Sequence, residues 1–121
     1  MKNKIKVIIK EVGKEPKVTE IDNSIENFQK LVGGYVQHIL LSNEVGCWLN
    51  DNGKLEDLPF NVNLADCNGK IFDALVGNLF LVQEDEECQS DLTDENIEKY
   101  LKQLREKALR CEQIDLLNFV Y

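Results

Sequence analysis

The sequence predicts a single α+β domain in which an antiparallel sheet, made of an N-terminal hairpin and a central meander, packs with one short helix and one long C-terminal helix. Near the start, apolar and charged residues alternate in the period-two pattern of a half-buried strand. In the middle, β-branched and aromatic runs are separated by turns rich in asparagine and glycine. Toward the end, apolar residues recur at helical spacing. The 121 residues contain no internal repeat, so one domain over residues 1–121 is expected.

The opening hairpin is predicted from residues 4–12, where Ile5, Val7 and Ile9 lie on one face of a strand. A glycine and a proline in residues 13–16 break this strand and favour a turn. Residues 17–21 are long enough for a second, shorter strand, so the two strands are expected to pair.

A short amphipathic helix is predicted next. Asp22, Asn23 and Ser24 are candidate N-caps at its start, and Asn23 with Glu26 has the spacing of a capping box. Gly33 and Gly34 are expected to end it, because glycine accepts the left-handed backbone of a helix C-terminus without a Cβ clash.

The middle of the chain is predicted to continue as a meander of short strands. The predicted strands cover residues 35–41, 45–49 and 79–82. Gly77 and Asn78 indicate a bulge or a turn before the last of them. Residues 56–70 contain a proline, a glycine and several asparagines, so an irregular segment with one turn of helix is expected there.

The longest helix is predicted to begin at Thr93 as its N-cap, with acidic residues in the first turn and basic residues toward the end. It follows a solvated acidic loop over residues 83–89. Its predicted buried stripe consists of Ile97, Leu101, Leu104, Ala108 and Cys111. The apolar tail over residues 114–121 is expected either to continue the helix onto the domain or to contact another chain.

The net charge of −8 is concentrated in the middle of the chain. Residues 18–98 carry three basic and seventeen acidic side chains, whereas both ends of the chain are positive. Direct DNA or RNA binding is not expected, because a phosphate backbone requires clustered lysine and arginine. The acidic middle keeps the protein soluble or contacts a basic protein surface.

The four cysteines, Cys47, Cys67, Cys88 and Cys111, contain no CxxC pair. They are expected to be reduced thiols in the cytoplasm. The apolar patch near the start is too short for a signal peptide, and no stretch has the length of a membrane span.

The sequence offers little for catalysis, and no enzyme is expected. His38 is the only histidine, and in the middle of a strand, with no oriented partner apparent, it is interpreted as a packed residue. No activated nucleophile is indicated, and the acidic run over residues 84–87 lacks the spacing of a calcium loop. Neither a cofactor nor a metal is predicted.

A set of amide, glycine and aromatic residues in turns forms the candidate ligand-binding site. Such groups recognise a nucleobase or ribose through neutral hydrogen bonds, while backbone N–H groups and lysine receive phosphate. The alternative is that they serve only as turn residues. The set comprises Gly33, Gly34, Tyr35, Gln37, Asn50, Asn52, Gly53, Lys54, Asn61 and Asn78.

Five segments together resemble one family. They are IKVIIKEVGKEPKVTEI, ENFQKLVGGYVQ, NDNGKLEDLPFN, ALVGNLFLV and SDLTDENIEKYL, and the most specific parts are LVGGY and NDNGKL. In this order they are similar to the domain of unknown function family 3846, small proteins typical of phages, prophages and plasmids. The similarity covers a core of about residues 4–104, and residues 105–121 extend beyond it.

The resemblance implies a non-enzymatic accessory protein of a mobile element that counters host defence in the host-cell cytoplasm. In one mechanism it sequesters a cyclic or ADP-ribose-like nucleotide signal in the turns of the candidate site, and a homo-oligomer is expected. In the alternative, its acidic middle mimics nucleic acid and covers a host defence nuclease. A phage regulator with another protein partner is a third possibility.

Overall fold

The computed structural model describes residues 3–84 and 89–112. The predicted α+β class is confirmed. The elements in this part of the chain are β1 Lys4–Lys10, β2 Lys17–Asp22, α1 Ile25–Val32, β3 Val36–Leu40, β4 Val45–Asn50, β5 Phe60–Ala65, β6 Ile71–Val76, β7 Leu79–Glu84, β8 Gln89–Ser90, α2 Asp94–Arg105 and β9 Ala108–Arg110.

The strands form two sheets. The larger sheet has the order β2-β1-β7-β4-β3, with β8 paired to β7, and the smaller has the order β6-β5-β9. Neighbouring strands are antiparallel except β5 and β9, which are parallel. The opening hairpin β1–β2 is confirmed.

The strands predicted for the central meander pair as expected, since β4 lies between β3 and β7, but the sequence did not predict the second sheet. Strand β4 pairs with β7, and the intervening strands β5 and β6 leave the larger sheet to form the smaller one. The physical reason lies in β7, where Leu79, Phe80, Leu81 and Val82 are all buried. A strand that is apolar on both faces is stable only at the centre of a sheet covered on both sides. Residues 56–70 are also more regular than predicted, since they contain β5.

The larger sheet has an apolar core on each face. Leu79 and Leu81 point into a core shared with the smaller sheet and α2. Phe80 and Val82 point to the other face, where Phe28 of α1 covers them. The molecule is therefore layered, with α1 on one side of the larger sheet and the smaller sheet with α2 on the other.

Helix α1 begins and ends at small residues. Ser24, not Asn23, is the N-cap, and its hydroxyl accepts a hydrogen bond from the Asn27 N–H at 3.2 Å. Ser24 is one of the three candidate caps, whereas the capping box expected at Asn23 is not the cap that forms. Gly33 ends the helix in the left-handed conformation with φ of 80°, as predicted.

Helix α2 begins at the predicted cap, where the Thr93 hydroxyl accepts from the Asn96 N–H at 3.2 Å. It ends at Arg105, earlier than predicted, because Lys107 adopts a positive φ of 58° that stops a helix. Ala108 therefore lies in β9, which pairs with β5, and Cys111 follows that strand.

The buried stripe of α2 is corrected accordingly. Leu104 is buried as predicted, Ile97 and Leu101 are partly buried, and Asn96 and Tyr100 complete the buried face. The predicted solvated loop over residues 83–89 is wrong at both ends, because Gln83 and Glu84 belong to β7 and Gln89 begins β8. The rest of the acidic run, Cys88 and the apolar tail fall on residues 85–88 and 113–121, outside the described residues. No helix in residues 3–84 or 89–112 is long and apolar enough to cross a membrane.

Candidate functional site

The edges of the two sheets meet at an open cleft of about 240 Å³, called the edge cleft. Strand β3 forms one wall, β6 forms the other, and the loop between β4 and β5 closes one end. Four residues of the predicted ligand-binding set line it: Gln37, Asn50, Gly53 and Lys54. Residues far apart in the sequence are thus brought together as a site.

Three side chains give the edge cleft its polar character. Gln37 is exposed on β3, and no hydrogen bond of its amide to another described residue is seen. The Lys54 ammonium forms an ion pair with the Asp73 carboxylate across the cleft. The cleft therefore offers a neutral amide on one wall and a compensated charge pair at the other.

Asn50 is a structural residue at the floor of the edge cleft. It is 3 % exposed, its amide nitrogen donates to the Val32 carbonyl at 3.2 Å, and its amide oxygen accepts from the Asn52 N–H at 2.7 Å. Gly34 must be small here, because a Cβ would lie 2.9 Å from the Asn50 amide nitrogen. Asn50 thus fastens the end of α1 to the end of β4.

The remaining cleft glycine packs the loop against β6. Gly53 is buried, and a Cβ on it would lie 2.9 Å from the Val76 side chain. Its N–H donates to the Asn50 carbonyl at 3.3 Å. Tyr35 lies beside this loop, because its carbonyl accepts from the Asp51 N–H at 2.8 Å, and its side chain is 72 % exposed.

A second, more open groove of about 360 Å³ lies between the end of α1 and the turn that joins β6 to β7. Gly33 and Asn78 of the predicted set line this groove. The Asn78 side-chain oxygen accepts from the Val12 N–H at 3.0 Å, so it ties the β1–β2 hairpin to this turn. Lys30 supplies the positive charge of this groove.

Asn61 lines neither cleft, because it is buried inside the protein with 2 % exposure. Its side-chain oxygen accepts from the Lys10 ammonium at 2.9 Å, and its nitrogen donates to the carbonyls of Lys10 and Gly77, both at 2.8 Å. Lys10 is itself 2 % exposed. Burial, with a smaller contribution from the charge of Lys107, lowers the pKa of Lys10.

A cluster missed by the sequence analysis lies on the α1 side of the larger sheet. The His38 Nε2 and the Glu84 carboxylate form a hydrogen bond, and the His38 ring lies 4.7 Å from the Trp48 ring between centroids. Gly46 lies beneath the pair, and a Cβ there would overlap both side chains. His38 therefore does have an oriented partner, contrary to the interpretation from sequence.

The sequence signal for this cluster was Gly46. A glycine inside a strand run often marks a position where another group approaches closely. Glu84 itself is 46 positions from His38, and no local pattern connects the two. The indole N–H of Trp48 is buried without a hydrogen-bond partner among the described residues.

No group of three or more metal-ligating side chains occurs in residues 3–84 and 89–112. Cys47 and Cys67 are free thiols, and the Cys111 thiol donates to the Leu40 carbonyl at 3.3 Å. Burial raises the pKa of Cys47 to about 12, so this thiol is a poor nucleophile near neutral pH.

The fold and the cleft define a small two-sheet α+β domain with an open site where its sheet edges meet. The chain belongs to the family described as Domain of unknown function (DUF3846), whose model matches residues 5–105. The family resemblance of the sequence is thereby confirmed. No curated protein matches the chain, and no solved structure matches it.

Proposed function

We propose that this protein is a non-enzymatic binding protein that sequesters a small nucleotide signal in the edge cleft. We further propose that it does so on behalf of a phage or another mobile element, in the cytoplasm of the host, and thereby counters a nucleotide-based defence. The observation that carries the proposal is the convergence of Gln37, Lys54 and Asp73 on one open cleft.

The chemistry of the cleft suits a base and its ribose. The Gln37 amide can both donate to and accept from the edge of a nucleobase. The Asp73 carboxylate is an acceptor for ribose hydroxyls, and Ile39 and Leu49 provide apolar surface for the face of the base. Asn50 takes no direct part, because its amide already serves the fold.

Electrostatics limits where a phosphate can lie. The Lys54 charge is compensated by Asp73, and Asp51 adds a further negative charge to the cleft lining. An anionic group is therefore favoured at the exposed rim near Lys54 and disfavoured deep in the cleft. The proposal thus predicts that the base binds inside and the phosphate outside.

The acidic-mimic function is the alternative proposal. Asp51, Glu56 and Asp57 are exposed on the loop between β4 and β5 and form an acidic surface beside the cleft. Such a surface could cover the basic channel of a host nuclease. The two proposals differ in whether the partner is a small molecule.

The test is retention of nucleotide by the purified protein. The protein is incubated with cyclic dinucleotides and with ADP-ribose derivatives, filtered, denatured, and the released compounds are identified by mass spectrometry. Recovery of intact nucleotide is expected. Recovery of an altered nucleotide would show catalysis, for which the His38–Glu84 pair would be the first suspect. No retention, together with salt-sensitive capture of a host nuclease, would favour the mimic.

A matched pair of variants locates the site. Gln37→Leu removes the amide from an exposed position at similar volume, and a loss of about tenfold in retention is expected for one hydrogen bond in a partly desolvated site. Gln29→Leu makes the same change on α1, outside the cleft, and should retain nucleotide like the unmodified protein. Equal retention by both variants would place the ligand elsewhere.

A further inference from the structure

Within the described residues, no strand pairs with the outer side of β3, and at its end Glu112 N–H donates to the Leu41 carbonyl at 2.7 Å. Asp51 N–H donates to the Tyr35 carbonyl at 2.8 Å and Leu41 N–H donates to the Val45 carbonyl at 2.9 Å. Both pairs continue the β3–β4 register, in which hydrogen-bonded pairs alternate with non-hydrogen-bonded ones. The odd-numbered residues of β3 therefore bond to β4.

It follows that Val36, His38 and Leu40 direct their N–H and C=O groups away from β4. Among the described residues, the contact seen on these groups is a weak one, from the Cys111 thiol to the Leu40 carbonyl at 3.3 Å. A carbonyl has a second lone pair and still accepts another bond. Strand β3 thus presents an edge ready to pair with another strand.

The two edges of the larger sheet differ in charge. Strand β2, at the far edge, carries Lys17, Glu20 and Asp22, and charged side chains protect an edge against pairing. Strand β3 has the sequence VQHIL, without an acidic or permanently basic residue. In a chain with a net charge of −8, such an uncharged strand is the surface on which two copies repel each other least.

We propose that two copies of this chain pair through β3 in an antiparallel manner about a two-fold axis at His38, and that the ligand site spans both copies. This inference rests on the proposed function. In this register Val36 lies opposite Leu40 of the second copy and His38 lies opposite itself. Each of these positions has its N–H and C=O directed outward, so every facing pair is a hydrogen-bonded pair. The register thus satisfies the open groups of both strands.

The pairing joins the two edge clefts. A two-fold axis through an antiparallel strand pair stands perpendicular to the sheet, so the same face of each copy lies on the same side. Gln37 and Ile39 line the cleft on that face in both copies. In the joined site, β3 of both copies lies at the centre and β6 of each copy forms an outer wall.

Size indicates the class of ligand. One cleft of about 240 Å³ is smaller than the roughly 300–1,000 Å³ of typical ligand pockets, whereas the joined site falls within that range. Two equivalent halves fit a molecule with two base–ribose units. The structure therefore assigns a dinucleotide, such as a cyclic dinucleotide, to the joined site.

Proline at position 40 provides the test. Leu40 is 45 % exposed and its N–H points away from β4, so Leu40→Pro removes no hydrogen bond within one copy but prevents pairing with the other. Leu40→Thr is the matched control, because it also shortens the side chain but keeps the N–H. Light scattering with size-exclusion chromatography should give about twice 13.9 kDa for the unmodified protein and Leu40→Thr, and 13.9 kDa for Leu40→Pro.

Retention of cyclic dinucleotide is measured on the same samples, and circular dichroism with thermal unfolding checks that each variant is folded. Leu40→Pro should lose retention at least tenfold, while Leu40→Thr should keep it. A monomeric unmodified protein, or a dimeric Leu40→Pro, overturns the pairing. Exchange-protected amides at Val36, His38 and Leu40 in a monomer would show that the chain covers β3 itself and would also overturn the pairing.

The remaining outcomes separate the two proposals. A monomeric Leu40→Pro that retains dinucleotide fully overturns the joined site but leaves the proposed function intact. A dimeric unmodified protein that retains no nucleotide supports the pairing through β3 and overturns the proposed function.

Discussion

At the scale of single residues, the most demanding arrangement is the buried contact between Lys10 and Asn61. An ammonium group inside a protein is unfavourable unless acceptors surround it. Asn61 and the Glu11 carbonyl, each at 2.9 Å, are the acceptors seen here, and neither is an anion. Asn61 also satisfies the Gly77 carbonyl, so one side chain stabilises β1, β5 and the turn before β7.

Asn61→Ala should therefore lower the free energy of unfolding by about 2 kcal/mol, because it removes one of the two acceptors seen for the Lys10 ammonium and the side-chain donor to two carbonyls. Guanidinium unfolding measures this. Asn63→Ala, on the same strand but half-buried and without a described side-chain hydrogen bond, should change stability by less than about 0.5 kcal/mol. Equal effects of both changes would contradict the structural role of Asn61.

At the scale of elements, Asn50 connects the end of α1 to the end of β4. Its amide holds the last carbonyl of α1 and the loop that follows β4. This corner positions both Gln37, on the next strand, and Lys54, on the loop. The edge cleft therefore depends on a residue that itself has little capacity left for a ligand.

Asn50→Ala should destabilise the protein by about 2 kcal/mol and speed amide exchange in α1, because the Val32 carbonyl loses its donor. Hydrogen exchange followed by mass spectrometry measures both effects. Asn52→Ala is the control: Asn52 bonds to Asn50 through its backbone N–H, so this variant should stay within about 0.5 kcal/mol. A loss in Asn52→Ala as large as in Asn50→Ala would refute the assignment.

Local patterns predicted the hairpin, the end of α1 at Gly33 and the start of α2 at Thr93, because turns and caps depend on neighbouring residues. The second sheet could not be predicted in this way. Which strand pairs with β4 depends on competition between distant apolar segments, and β7 is preferred because both of its faces are apolar. The buried stripe predicted for α2 from helical spacing also included Ala108 and Cys111, because periodicity does not reveal that the helix stops at Lys107.

The candidate site was also predictable only in part. Turn chemistry selected Gln37, Gly53 and Lys54, which the fold brings to one cleft. The same chemistry selected Asn61, whose amide is used inside the protein. Polar turn residues look alike in sequence whether they face a ligand or a buried carbonyl.

At the scale of the whole molecule, alkaline pH should weaken the fold mainly through Cys47. Burial raises the pKa of this thiol to about 12, whereas an unfolded thiol ionises near 9.0. Above about pH 9 the Cys47 thiol loses its proton in the unfolded state but keeps it in the folded state. The free energy of unfolding therefore falls as pH rises. The loss should be on the order of 1.4 kcal/mol at pH 10 relative to pH 7.

Unfolding midpoints at pH 7 to 10 should therefore fall less steeply in Cys47→Ala than in the unmodified protein. Cys67→Ala removes an exposed thiol from a turn and should keep the original slope. If the unmodified protein and both variants lose stability equally between pH 7 and 10, Cys47 does not cause the loss of stability at alkaline pH.

Three other groups also contribute to the dependence of stability on alkaline pH. The hydrogen bond with Glu112 raises the pKa of Lys99, so its stabilisation is lost as pH rises through the folded value. Burial raises the pKa of Tyr100, which also lowers stability above its unfolded value of 10.0. The lowered pKa of Lys10 acts in the opposite direction, because its desolvation cost disappears as the amine becomes neutral.

The position of β7 between β1 and β4 has a consequence for synthesis on the ribosome. The two flanking strands are made first, but they cannot share a sheet until residues 79–84 have left the exit tunnel. The smaller sheet waits longer, for residues 108–110. Folding that depends on such distant partners is slow, so the nascent chain exposes apolar strands for much of its translation.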